Sequence, residues 1–180
     1  MDKLEALSDH DLMQRVKQAD KASLRVLYDR HSGPLSAFVA QILSDPVDAA
    51  DIVHQAFISV WDGSAKFREN TSFKAWLYTI ARNKAIDRLR KTKREVLGEP
   101  DTTIPDQDPD PAEIAEACED RSRVRACLEK LSDTHRRVVS LSFFEGMTYR
   151  EIADLEDVSE GTVKSRIFHA KKLLMHCLSR

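Results

Sequence analysis

The chain has 180 residues and carries 28 Lys and Arg against 30 Asp and Glu, a formal net charge of −2. That length holds one ordinary domain or two small ones, and five glycines and six prolines are too few for the recurrent turns of a strand-rich fold. Three cysteines (Cys118, Cys127, Cys177) are too few and too scattered for a disulfide framework and read as free thiols.

No stretch approaches about 18 uninterrupted apolar residues, and the start of the chain lacks a basic segment followed by an apolar run. A soluble, cytoplasmic protein without membrane insertion is expected.

Taken in order, Ser8 can cap a helix through Ala19, and Asp20 can cap another carrying Leu24, Leu27 and Tyr28, with apolar residues continuing through Phe38, Val39, Ile42 and Leu43. Asp45-Pro46 interrupts that pattern. A helix from Pro46 to about Trp61 has Val47, Ala50, Val53, Phe57, Ile58 and Trp61 at helical spacing, and one from Ser72 to Lys91 aligns Phe73, Trp76, Leu77, Ile80 and Ala81. These stripes need partners, which predicts a helical bundle. Residues 93–110 carry three of the six prolines and no periodic apolar face, so they read as a linker.

Beyond the linker, Pro111 to Lys130 is expected to be helical, and Ser132 can cap a helix through Phe144. Thr148-Tyr149-Arg150-Glu151 has the capping-box pattern, opening a short helix to about Leu155, and Ser159 caps a last long helix. The expectation is an all-α chain of two small helical domains, residues 1–92 and 111–180, joined by an acidic, proline-rich linker.

The near-neutral total conceals segregation. Arg82 to Arg94 holds seven bases and one acid, whereas Glu95 to Asp120 holds ten acids and no Lys or Arg. The basic run ends a helix that begins with aromatics. Cations that follow a phosphate chain, with aromatics and an amide near unpaired bases, suit single-stranded nucleic acid.

The second basic surface lies on the last helix. Val163, Ile167, Ala170 and Leu174 fall at core spacing, which points Lys164, Ser165, Phe168, His169 and Lys172 outward. Two helices joined by a short turn, the second with such a face, match a helix-turn-helix that enters a major groove. An ordinary amphipathic helix with a solvated basic face is the alternative.

Three motifs in order carry a resemblance. Asp48-Ala-Ala-Asp-Ile-Val-His-Gln-Ala-Phe-Ile-Ser-Val-Trp61 is similar to the polymerase-binding helix of bacterial extracytoplasmic-function sigma factors, the small specificity subunits of RNA polymerase. Phe73-Lys-Ala-Trp-Leu-Tyr-Thr-Ile-Ala-Arg-Asn-Lys-Ala-Ile-Asp-Arg-Leu-Arg90 resembles that family's promoter-melting helix, and Thr148 onward, with Gly161-Thr-Val-Lys-Ser-Arg166, resembles its upstream-element reader.

The resemblance implies a non-catalytic subunit that binds core polymerase, recognises promoter DNA and opens it. Asp48, Asp51 and Gln55 would face the clamp helices of the largest polymerase subunit. Phe67, Arg68, Asn83, Lys84, Arg88 and Arg90 would meet the minus-ten strand, with Asn83 and Phe67 beside a flipped base. Lys164, Ser165, Arg166, Phe168, His169, Lys171 and Lys172 would meet the minus-thirty-five duplex, Arg166 equally as a phosphate or structural contact. An anti-sigma partner is implied as well. No catalytic residue, cofactor or metal is expected.

The acidic linker would either mimic nucleic acid in the polymerase channels or serve as a spacer. Two positions depart from the family pattern: Glu156-Asp157 stands where an apolar residue and Gly are usual, and His54-Gln55 replaces Gln-Glu. Asp tolerates the left-handed backbone that Gly would supply, so the turn can survive. A stand-alone helix-turn-helix regulator is the second reading, and it leaves the Trp61 to Arg90 motifs unexplained.

Overall fold

The computed structural model describes residues 2–43, 45–68, 71–96 and 117–179. Among them the secondary structure is helical, with no strand. Most of the expected linker, and the start of the expected helix at Pro111, lie outside the described residues. The chain divides into two compact units, one of Met1–Lys91 with Asp154–Asp157 and one of Thr92–Ala153 with Val158–Arg180.

In the first unit a short α1 (Asp2–Glu5) precedes α2 (Asp9–Val16), α3 (Lys21–Leu43), α4 (Pro46–Asp62) and α5 (Phe73–Val96). The caps follow the sequence. Ser8 Oγ accepts the Asp11 N–H, Asp20 accepts the N–H groups of Ala22 and Ser23, and Asp45 accepts that of Val47. Each satisfies a backbone donor that the first helical turn leaves unpaired. α2 is shorter than expected. Ala19 takes a left-handed φ of 63° and the Asp20 N–H returns to the Arg15 carbonyl, closing the helix.

α3 continues through Pro34 to Leu43, because tertiary packing on both sides of that residue outweighs the missing backbone donor. α5 runs to Val96, four residues into the expected linker.

The core of this unit joins Leu12, Met13 and Val16 to Leu27, Leu35, Phe38 and Val39, and to one face each of α4 and α5. Tyr28 meets Phe57 at 4.9 Å between ring centroids, and Phe38 meets Tyr78 at 5.0 Å. A polar clamp fastens α2 to α3. Asp9 pairs with both Arg30 and the buried His31, whose Nε2 lies 2.7 Å from Asp9 Oδ2, while Arg30 donates to the carbonyls of Glu5 and Leu7.

The buried stripe of α4 differs from the expected one. Ala49, Ile52, Val53, Ala56, Phe57 and Val60 are buried, whereas Val47, Ala50 and Ile58 are exposed. Both sets have helical spacing, so periodicity alone did not fix the centre of the stripe. The helix ends at Gly63, where a Cβ would come within 2.8 Å of the Ser59 carbonyl oxygen, so only glycine fits this cap.

Beyond residue 116, α6 (Ala117–Glu129) and α7 (Asp133–Val139) are followed by a π-helical turn over Ser140–Phe144, then α8 (Tyr149–Glu156) and α9 (Glu160–Leu178). The sequence predicts one helix from Ser132 to Phe144. Its last turn widens instead, with the Glu145 N–H bonded to the Ser140 carbonyl and Gly146 at a φ of 65°. Val138, Val139, Leu141, Ile152, Leu155, Val163, Ile167 and Ala170 are buried, and Leu131, Val139 and Ala170 pack with Leu128 and Leu174.

The cysteine expectation is corrected here. Cys127 on α6 and Cys177 on α9 form a disulfide, with Cα atoms 5.8 Å apart across 50 residues of sequence. Spacing along the chain carried no sign of it, because the pairing depends on how α6 packs on the end of α9.

Candidate nucleic-acid interface and partner face

The turn that precedes α9 is built as the sequence requires. Thr148 Oγ1 accepts the Glu151 N–H at 3.2 Å, while the Glu151 carboxylate accepts the Thr148 N–H at 2.8 Å. Asp157 takes a φ of 56°, and the Val158 N–H reaches back to the Ala153 carbonyl at 3.0 Å. This is the closure that a left-handed residue permits after a helix. Asp157 therefore does what glycine would do, and Leu155 rather than Glu156 supplies the buried apolar side chain.

Ser159 then caps α9 by accepting the Thr162 N–H at 3.1 Å. Val163, Ile167 and Ala170 face the core, and Lys164, Ser165, Phe168, His169 and Lys172 are exposed on the far side. Phe168 is 66% exposed and its ring meets His169 edge-on at 5.6 Å. Arg166 is half-buried. Lys171 leans elsewhere, with its ammonium 4.9 Å above the Phe143 ring, at the edge of an apolar groove.

In the first unit, Arg68, Asn83, Arg88 and Arg90 are exposed and Lys84 is half-buried. Thr79 is exposed as well, at helical spacing on the same stripe as Asn83 and Arg90. Phe67 does not join that surface. It is 3% exposed, with its ring against Phe73, Trp76 and His10 and the Lys17 ammonium 5.7 Å from its centroid. A ring enclosed in this way presents no exposed face to a base, so the structure does not bring Phe67 onto the surface that holds Arg68 and Asn83.

Asp51 and Gln55 are exposed on α4, and Asp48 is half-buried beside them. Arg88, expected on the DNA side, donates to both Asp48 oxygens at 2.5 and 3.3 Å. The pair ties α4 to α5. Periodicity missed a neighbouring surface, an apolar groove between α3 and α4 lined by Leu24, Tyr28, His54, Phe57, Ile58 and Trp61. Its available signal was the surplus of apolar positions on α4, more than one buried stripe can hold.

Electrostatics in this unit favour ionised carboxylates. Burial pushes the Asp9 carboxyl up, but the hydrogen bonds and charges of His31 and Arg30 outweigh it and leave it below the usual value. Hydrogen bonds from Arg15 and Ser23 hold Asp20 down at about 2. Among the described residues no cluster of three or more His, Cys, Asp or Glu is placed to hold a metal ion, and no helix is long and apolar enough to cross a membrane.

The geometry defines a class: helical units that carry a capped helix-turn-helix on one and a basic helix beside an acidic, apolar face on the other. Residues 27–95 match the family described as Sigma-70 region 2, and residues 121–174 match Sigma-70, region 4. The sigma factor SigL of Mycobacterium tuberculosis is 32% identical over 87% of this chain and 89% of its own length. SigK of Mycobacterium bovis is also 32% identical, over 95% and 94%.

Among solved structures, the sigma factor RpoE from Bartonella quintana, in complex with the anti-sigma factor NepR, matches with a TM-score of 0.67 and 27% identity over 86% of this chain and 96% of that one. CnrH, in complex with the cytosolic domain of CnrY, shares the fold with a TM-score of 0.62 at 24% identity, over 95% of this chain and 97% of that one. The chain belongs to the extracytoplasmic-function sigma factors of RNA polymerase, which are transcription regulators.

Proposed function

We propose that the chain is an alternative sigma factor that works in the cytoplasm without chemistry of its own, and that its named surfaces divide the work of initiation. Residues 1–92 bind core polymerase and recognise and open the minus-ten element, residues 93–110 link the domains, and residues 111–180 read the minus-thirty-five duplex. Asp48, Asp51 and Gln55 meet the clamp helices of the largest polymerase subunit. Arg68, Asn83, Lys84, Arg88 and Arg90 track the opened strand, with Phe67 packed against Phe73 and Trp76 at the start of the helix that carries most of them. Lys164, Ser165, Phe168, His169 and Lys172 enter the upstream major groove, where long donors reach base edges and phosphates. Arg166 and Lys171 flank that contact.

The observation that carries this reading is α9: a capped helix whose outward face is cationic and aromatic while Val163, Ile167 and Ala170 on its inward face are buried. An anti-sigma factor holds the protein inactive. The apolar groove between α3 and α4 and the one beside Phe143 supply surfaces that an amphipathic helix of such an inhibitor fits.

Asn83→Ala tests the strand-opening assignment. It should weaken promoter opening, followed by permanganate reactivity of unpaired thymines, and leave capture of core polymerase unchanged. Equal loss of both would remove Asn83 from the strand-reading surface.

A further inference from the structure

The disulfide belongs to no surface assigned above. Cys127 is 6% exposed on α6, and Cys177 is half-buried near the end of α9, with the Lys130 ammonium 3.9 Å from its sulfur. The bridge fixes α6 to the last turns of α9, where Arg123 also donates to the Leu178 carbonyl at 3.1 Å. Val124 and Leu128 of α6, with Leu174, Met175 and Leu178 of α9, are walls of one apolar groove of about 340 Å³. The cross-link therefore sets the spacing of those walls.

A family that works on promoter DNA works alongside thiols that are kept reduced, and disulfides in such surroundings are mostly transient or redox-sensing. The two sulfurs also differ in kind. The cation beside Cys177 favours its thiolate, the reactive form, while Cys127 is shielded and positioned to receive the bond.

We propose that Cys127 and Cys177 form a reversible, hydroperoxide-reactive dithiol that latches α6 to α9. The Cys177 thiolate attacks the peroxide O–O bond and becomes a sulfenic acid, and the departing oxygen takes up the thiol proton and leaves as water or an alcohol. The Cys127 thiol then displaces the sulfenic oxygen, which leaves as a second water with the Cys127 proton. Two electrons pass from the sulfurs to the peroxide, so one dithiol and one hydroperoxide give one disulfide, one alcohol or water, and one water. Two equivalents of a low-molecular-weight thiol restore the dithiol by exchange and leave as their own disulfide. In the reduced state α6 is held by packing and by hydrogen bonds such as that from Arg123 to the Leu178 carbonyl.

The test uses the full chain, reduced and then freed of reductant. With one equivalent of hydrogen peroxide, mass spectrometry should find the Cys127–Cys177 bridge with Cys118 still free. In Cys127→Ser a sulfenic acid should be trapped on Cys177. Lys130→Met should slow the reaction several-fold and Lys130→Arg should restore it. Amides of α6 should exchange at least tenfold faster in the reduced chain than in the oxidised one.

Three results would overturn the proposal: a bridge that millimolar reduced glutathione opens only after the chain unfolds, pairing that involves Cys118 instead, or equal exchange of α6 in both states. None of these readouts uses polymerase or DNA, so their failure is distinguishable from failure of the promoter reading.

Discussion

Lys172 stands on the outward face of α9, a full helical turn beyond Phe168 and exposed. A cation there contributes through counterion release from a phosphate. Lys172→Ala should lower affinity for the upstream duplex across sequences and reduce the slope of log K against log salt by about one unit. The measurement is a fluorescence anisotropy titration with the polymerase holoenzyme at several salt concentrations. An unchanged slope would show that the side chain is only solvated.

Asp20 makes the same kind of residue-scale case for stability. Its carboxylate caps α3 and its value lies at about 2, below the ordinary 3.8. A depressed carboxyl contributes stability that is present above its unfolded value and is lost as pH falls through the folded one. Acidification from pH 4 to pH 2 should therefore loosen the start of α3, with Asp9 contributing in the same direction. Thermal melts of the chain and of Asp20→Asn should converge as pH falls through that window. A constant gap between them would show that the cap does not depend on charge.

At the scale of elements, the α8–α9 turn concentrates the local constraints. Asp157 holds a left-handed backbone that costs a side chain about 1–2 kcal/mol relative to an ordinary conformation. Asp157→Gly should stabilise α8 and α9 by up to about 1 kcal/mol, and Asp157→Val should destabilise them by about 1–2 kcal/mol. Hydrogen exchange of the amides in the two helices reads both. A glycine variant less stable than its parent would mean that the Asp157 carboxylate makes compensating local bonds. Helix types and caps were legible here from a few adjacent residues, since capping is a short-range hydrogen-bond requirement. The π-helical turn at Ser140–Phe144 was not, because Phe143 and Phe144 fit an α-helical pattern equally well and the widening depends on the path toward Gly146.

For the molecule as a whole, the cross-link between α6 and α9 should make one unit respond to reductant and leave the other unchanged. Closing a loop of this separation removes unfolded-state entropy worth roughly 2–4 kcal/mol. Reduction should lower the stability of the second unit by that order. Trp61 and Trp76 lie in the first unit, so denaturant unfolding followed by tryptophan fluorescence should stay unchanged while exchange in α7 and α9 accelerates. A shift of the tryptophan transition would show that the two units unfold together.

Sequence by itself determined the helical class, the caps, the inward face of α9, and the two basic helices that a near-neutral total charge conceals. These follow from periodicity, short-range hydrogen bonding and charge order along the chain. Tertiary structure alone decided that Phe67 is buried against Phe73 and Trp76, that Asp48 is held by Arg88, that Val47 and Ile58 face outward, and that Cys127 meets Cys177. Each of these depends on which helix lies opposite. The interval between contacting residues, 40 for the ion pair and 50 for the disulfide, is set by packing rather than by any repeat that a one-dimensional pattern carries.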